Sequence, residues 1–263
     1  MTEDFAVWLY AVVPATQCVQ TTELTGVASG PVRLIAGEGV SAVVGSVPLS
    51  DFAEEPLRNH LEDLSWLEQT ARAHHQVIDA VGNTGDVVPL RFATIYHDDS
   101  AVKDVLMERA ADFEAALERV RGRTEWGVKA YVDPDALPTT PEQSGADDSP
   151  GTAYLLRRRA QRQGQQDAQQ RALQRAEEIR TALKEVATRT VQHPPQDARL
   201  AQYRGWMVLN DSYLVDDDRA QQFAALVTSC DARFPEVRLE LSGPWPAYSF
   251  TGDEEEVQQG DTT

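Results

Sequence analysis

The chain has 263 residues, 41% of them hydrophobic, which is ordinary for a globular protein and excludes disorder throughout. Its formal net charge is −18, with an isoelectric point near 4.6, which argues against general nucleic-acid binding, where a basic footprint is expected. Cys18 and Cys230 are the only cysteines, have no metal-ligand spacing and read as free thiols of a reducing cytosol.

Residues 1–5 carry no basic n-region, and the apolar stretch 6–15 is too short to span a membrane, so neither an export signal nor a membrane anchor is read here. Residues 5–13 (FAVWLYAVV) are apolar almost throughout, as in a strand buried on both faces. Residues 32–35 and 40–47 read as a hairpin joined by Gly37-Glu38-Gly39. A helix follows Pro48 with Leu64, Leu67, Ala71, His74, Ile78 and Val81 on one stripe, stopped by residues 82–85 (GNTG). Residues 87–96 read as a strand whose start Pro89 demotes to an edge or a bulge. Ser100 suits the N-cap of a helix running to Arg121, with Val102, Leu106, Phe113, Leu117 and Val120 inward.

The second half opens with an alternating strand at 126–132 and a Pro/Asp/Ser/Gly-rich insert at 133–150, expected to be flexible. A long helix is predicted from 152 to 191. Ala172, Ala176, Ile179, Leu183, Val186 and Thr190 form its apolar stripe, whereas 161–170 (QRQGQQDAQQ) has almost no apolar face and is expected to project into water or fray around Gly164. Strand signals return at 203–215, a helix at 216–233 and a strand at 237–241. Near the end, Gly243-Pro244-Trp245-Pro246-Ala247-Tyr248-Ser249-Phe250 reads as extended, because its prolines fix φ and remove donors; extension sends Tyr248 and Phe250 to one face. Two readings compete for this segment: an aromatic tail docked on its own domain, which is favoured, and a partner-binding strip.

These elements predict an α+β protein of two domains, 1–122 and 123–250, followed by a disordered acidic tail at 251–263. The element order β-α-β(β)-α-β in the second matches a ferredoxin-like arrangement with a long helix. Charge is uneven. Residues 151–205 hold eleven Lys/Arg against five Asp/Glu, a local +6 that leaves −24 for the remainder. Pairing of these cations with the chain's own acidic body is favoured over an acidic partner.

Four stretches, in order, resemble the gas vesicle GvpL/GvpF family: Trp8-Leu9-Tyr10-Ala11-Val12-Val13; Val88-Pro89-Leu90-Arg91-Phe92-Ala93-Thr94-Ile95; Gly151-Thr152-Ala153-Tyr154-Leu155; and Leu209-Asn210-Asp211-Ser212-Tyr213-Leu214-Val215 with the later residues 243–250. Two departures are visible: Ala93 stands where the family usually has Gly, and Ala247 where it usually has a second Pro. Each change is expected to cost little in extended backbone. The resemblance implies a non-enzymatic accessory or minor component of gas vesicle biogenesis, cytoplasmic or at the vesicle, with two α+β domains, the second a modified ferredoxin-like fold with a long helix and an extended C-terminal tail. It also implies partners, namely the small hydrophobic shell protein and other accessory gas vesicle proteins, and supplies no catalytic residues. No cofactor, nucleic acid or membrane partner is expected.

Against an enzyme, the sequence offers few convergent groups. His74 lies on an apolar stripe and reads as a core or interface histidine. Gly37 and Gly39 belong to a turn, Asp216-Asp217-Asp218 reads as a helix cap, and Arg91 as half of an internal ion pair. A small-molecule enzyme on a ferredoxin-like fold is the alternative, and a nucleic-acid regulator acting through Arg157-Arg158-Arg159 a third. The candidate partner-binding residues are Leu90, Phe92, Trp245, Tyr248 and Phe250, an apolar surface for an apolar partner, with Arg157, Arg158 and Arg159 as a basic patch.

Overall fold

The computed structural model describes residues 4–132, 150–195 and 205–252. The chain forms two compact units, Met1–Glu125 with Pro244–Thr263, and Trp126–Gly243. Each has its own sheet, and the protein is of the mixed α+β class.

The first unit contains β1 (Phe5–Pro14), β2 (Val32–Ala36), β3 (Val40–Pro48), α1 (Leu49–Phe52), α2 (Glu54–His60), α3 (Leu64–Gly82), β4 (Val88–Pro89), β5 (Ile95–Tyr96), α4 (Asp99–Glu108) and α5 (Ala110–Val120). Its sheet runs β2-β3-β1-β4, with β5 also on β1. β1 is therefore central, antiparallel to β3 on one side and to β4 and β5 on the other. Residues 6–13 are all at most 4% exposed, which is why the sequence there is apolar without alternation. The β2–β3 hairpin turns through Gly39 at φ +73°, closed by a 2.9 Å bond from Gly37 N–H to the Val40 carbonyl.

Several elements differ from the sequence expectation. The predicted strand over 87–96 is two short strands separated by a turn. Leu90 N–H still donates to the Tyr10 carbonyl, but the chain then leaves the sheet and returns where Leu9 N–H donates to Thr94 O. Ala93 sits in that turn at φ +62°, not in extended backbone, so alanine is strained at a position where glycine is not, and the expectation of little cost is corrected. The helix at 100–121 breaks at Arg109 (φ −111°, ψ 21°), and its N-cap is Asp98, which accepts from Ala101 N–H at 2.9 Å, rather than Ser100. Its five predicted inward residues are all buried.

The second unit is built from β6 (Arg123–Val132, whose first residues belong to the first unit), α6 (Pro150–Lys184), β7 (Arg189–Gln192), β8 (Trp206–Asp216), α7 (Ala220–Arg233) and β9 (Val237–Trp245). The sheet order is β7-β8-β6-β9. With β6 to β9 taken as first to fourth strands, this is the ferredoxin-like split βαβ arrangement. Its core gathers Ala172, Ala176, Ile179 and Leu183 of α6 with Tyr213 of β8 and Phe223 of α7, among others.

The long helix ends at Lys184, not 191. Thr188 N–H donates to Leu214 O at 2.8 Å, and the β-branched run that follows pairs with β8 as an edge strand, which satisfies its backbone better than two more helical turns in water. At its other end the helix continues through Gly164 without a break. Asp217 and Asp218 lie in a short 3-10 turn, and no side chain caps it or α7 by a hydrogen bond, so the capping expectation for Asp216 to Asp218 is corrected. Residues 133–149 of the expected flexible insert and 253–263 of the expected tail lie outside the described residues.

Residues 244–250 pack with the first unit, although the sequence assigns them to the second domain. Nor do they stay extended. Ala247 (φ −78°, ψ 61°) forms an inverse γ-turn, with Tyr248 N–H donating to Pro246 O at 2.8 Å, and Tyr248–Phe250 is a 3-10 turn.

Candidate interaction surface

α3 presents adjacent histidines to two different environments. His74 is 3% exposed and accepts at Nδ1 from the indole N–H of Trp8 at 2.9 Å. Its proton therefore sits on Nε2, which faces the Leu90 carbonyl at 3.3 Å. Burial pushes its pKa down to about 4, against an opposing pull from the Leu90 carbonyl, with His75 lowering it further. His74 is thus a neutral core histidine, packed edge-on to Trp8 and Phe92.

His75 turns toward the C-terminal segment. Its Nδ1 lies 3.1 Å from the Tyr248 hydroxyl, and its ring packs on Trp245 and Tyr248 with centroids 5.4 and 6.0 Å away. Asp79 Oδ2 is 3.2 Å from Nε2 but out of hydrogen-bonding alignment, so that contact is ionic only when the ring is protonated. Two further groups hold the segment. The Glu125 carboxylate, in a residue 6% exposed, accepts from the N–H and the hydroxyl of Ser249 at 2.8 and 2.6 Å. Arg119 donates to the carbonyls of Phe250 and Gly252 at 2.9 and 3.3 Å. Burial raises the Tyr248 hydroxyl well above the usual phenol range, with Asp79 and Glu125 adding to it.

The predicted aromatic strip is consequently divided. Phe250 is 3% exposed and Tyr248 is partly buried against the core of the first unit. Phe92 packs into the same core, 5.3 Å from Trp8, and half-buried Leu90 contributes its backbone to the sheet and to His74. Trp245 alone of the five is exposed, at 42%. The segment is docked within the chain, but on the first unit rather than on the second domain to which the sequence assigned it. Glu125, Ser249 and Arg119 were not singled out by sequence, because the Glu125–Ser249 and Arg119–Phe250 contacts span 124 and 131 positions and leave no local pattern.

In the second unit, Arg180 donates to buried Asp211 at 2.7 Å, and the Tyr213 hydroxyl donates to the same carboxylate at 3.2 Å. Arg175 pairs with Glu178 and Glu236. The rear of α6 therefore pairs within the chain, as favoured from the sequence. Its front does not: Arg158, Arg159 and Arg162 are exposed and make no ion pair among the described residues, while the Arg157 side chain lies outside those described. Arg91 is also exposed and makes no ion pair among the described residues, which corrects the internal pair expected for it. Among the described residues, no cluster of three or more His, Cys, Asp or Glu side chains is arranged to hold a metal ion. Among them, too, no helix is long and apolar enough to cross a membrane.

Comparison with known proteins gives one family across both units. The family described as gas vesicle synthesis protein GvpL/GvpF matches residues 6–252. Gas vesicle protein L of Streptomyces sp. (strain CB03234) is 42% identical over 258 residues, covering 97% of this chain and 96% of its own. Gas vesicle protein F of the same strain is 29% identical over 229 residues, covering 84% and 87%. Among solved structures, gas vesicle protein GvpF from Anabaena sp. PCC7120 superposes with a TM-score of 0.68 at 18% identity, covering 95% of this chain and 97% of its own, a likeness of fold.

Proposed function

Because the chain belongs to the GvpL/GvpF family of gas vesicle synthesis proteins, we propose that it is a non-enzymatic assembly factor that binds the hydrophobic shell protein and other accessory gas vesicle proteins in the cytoplasm. The observation that carries this reading is the match over nearly the whole length, in both units, to a gas vesicle protein L at 42% identity. The strongly displaced titrations, lowered at His74 and raised at Tyr213 and Tyr248, have burial as their first cause and sit in packed cores or at the docked tail, as structural groups do.

A soluble factor that takes up an apolar protein has to offer apolar surface. In the C-terminal strip, that surface is Trp245, whose ring packs on His75, while Tyr248, Phe250, Leu90 and Phe92 are partly or fully buried. The test is capture of the tagged protein from vesicle-forming cells, with vesicles and cytosol recovered separately and bound proteins identified. The reading expects the shell protein or other gas vesicle proteins in the captured fraction, reduced by Trp245→Ala. Recovery free of any gas vesicle protein, from cells still making vesicles, would overturn it.

A further inference from the structure

The corner between α2 and α3 carries two neighbouring exposed leucines, Leu61 at 40% and Leu64 at 79%. They sit three positions apart, and the neighbouring Trp66 stacks on His60 with centroids 4.9 Å apart and packs on buried Phe52. Residues 51–68 hold six carboxylates against one arginine, a net −5. Arg58 is taken up by Glu54, and Glu55 and Glu62 are exposed without an ion pair among the described residues. Glu68 is taken up by Arg72 and Asp63 caps α3, so the corner carries two exposed leucines and, among the described residues, the unpaired carboxylates of Glu55 and Glu62.

The complementary feature lies in the same chain. The front of α6 (residues 150–166) has four arginines and no carboxylate, and the sequence places Tyr154, Leu155 and Leu156 directly ahead of Arg157. Exposed Arg158 and Arg159, followed by Arg162 one turn on, have no ion-pair partner among the described residues. The exposed arginines without ion-pair partners among the described residues are complementary in charge to Glu55 and Glu62 of the leucine corner.

We propose that copies of this chain associate with one another, the basic front of α6 in one copy docking on the Leu61–Leu64 corner of the next. The contact joins two unlike patches, and each copy carries both. Opposite charges steer the encounter and set the register, while the leucines supply the area removed from water.

Sedimentation velocity of the full chain, with vesicle formation playing no part, tests this directly. Wild type associates with rising concentration at low salt, and association weakens about tenfold toward 1 M salt, where screening shortens to about 3 Å. Leu61→Glu with Leu64→Glu, and separately Arg158→Glu with Arg159→Glu and Arg162→Glu, each give monomers with wild-type circular dichroism. Mixed together, these two variants form a one-to-one complex, since each retains the half the other lacks. A wild type that stays monomeric at low salt, or folded variants that associate like wild type, would overturn the proposal. So would variants that fail to complement on mixing.

Discussion

The buried carboxylate of Glu125 accepts both the N–H and the hydroxyl of Ser249, 124 positions along the chain. This pair fixes the C-terminal segment to the start of β6. Ser249→Ala removes one of the two donors and is expected to cost about 1–3 kcal/mol, because a buried acceptor loses a charge-assisted partner. Urea unfolding gives the cost, and limited proteolysis around residues 246–252 gives its location. Equal cleavage of wild type and variant in that segment would show that the pair does not hold it.

The double substitution of Tyr248 and Phe250 by Ala should act through folding. Phe250 is 3% exposed and Tyr248 packs on the core, so truncation opens cavities costing about 3–5 kcal/mol per fully buried ring. Trp245→Ala, at an exposed ring, should leave the melting temperature nearly unchanged. Any loss of partner capture in that variant then reports contact, whereas loss in the double variant reports stability. Thermal melts of both variants separate the two cases.

His74 makes stability depend on pH in a defined direction. Its pKa is lowered from the ordinary 6.5 to about 4 in the folded protein. Above pH 6.5 the ring is neutral in both states and contributes no slope. As pH falls from about 6.5 to about 4 the unfolded chain takes up a proton that the native state refuses, so stability drops by roughly 3 kcal/mol across that window. Protonation of Nδ1 also ends its acceptance from Trp8. The direct check is NMR titration of the His74 ring, which should show no transition near 6.5.

Ala93→Gly should stabilise the protein by about 1 kcal/mol, since φ +62° is a left-handed conformation that costs an L-residue and not glycine. Ala93→Val should lower stability, as a β-branched side chain is worse there. Chemical denaturation of the three proteins orders them, and an order with Val above Gly would contradict the turn geometry.

Arg180 and Asp211 form a pair whose carboxylate is 1% exposed, and Tyr213 donates to the same group. Arg180→Met strands that charge and is expected to cost about 3–5 kcal/mol. Replacing both, Arg180→Met with Asp211→Leu, should cost less than the single change, because no buried charge is then left alone. A double-mutant cycle in urea decides it.

Sequence alone determined much of this protein. The unbroken apolar run 6–13 required a central strand, the stripes at 102–120 and 172–183 required packed helices, and Gly37 with Gly39 required the hairpin turn. The four ordered stretches pointed to the family. All of these are patterns within one element, where local periodicity and backbone preference act over a few residues. What the tertiary structure decided lies between elements. The strand over 87–96 breaks because the turn at Ala93 lies between two segments that both pair with β1. The long helix stops at Lys184 because β8 offers a better partner to residues 189–192. The tail folds back on the first unit because Glu125, His75 and Arg119 meet it there. None of these is written in spacing, since each depends on which distant donor, acceptor or ring the fold brings within about 3–6 Å. Even the adjacent histidines show it: two identical side chains, one position apart on a helix, become a core acceptor and a tail contact solely through the faces they occupy.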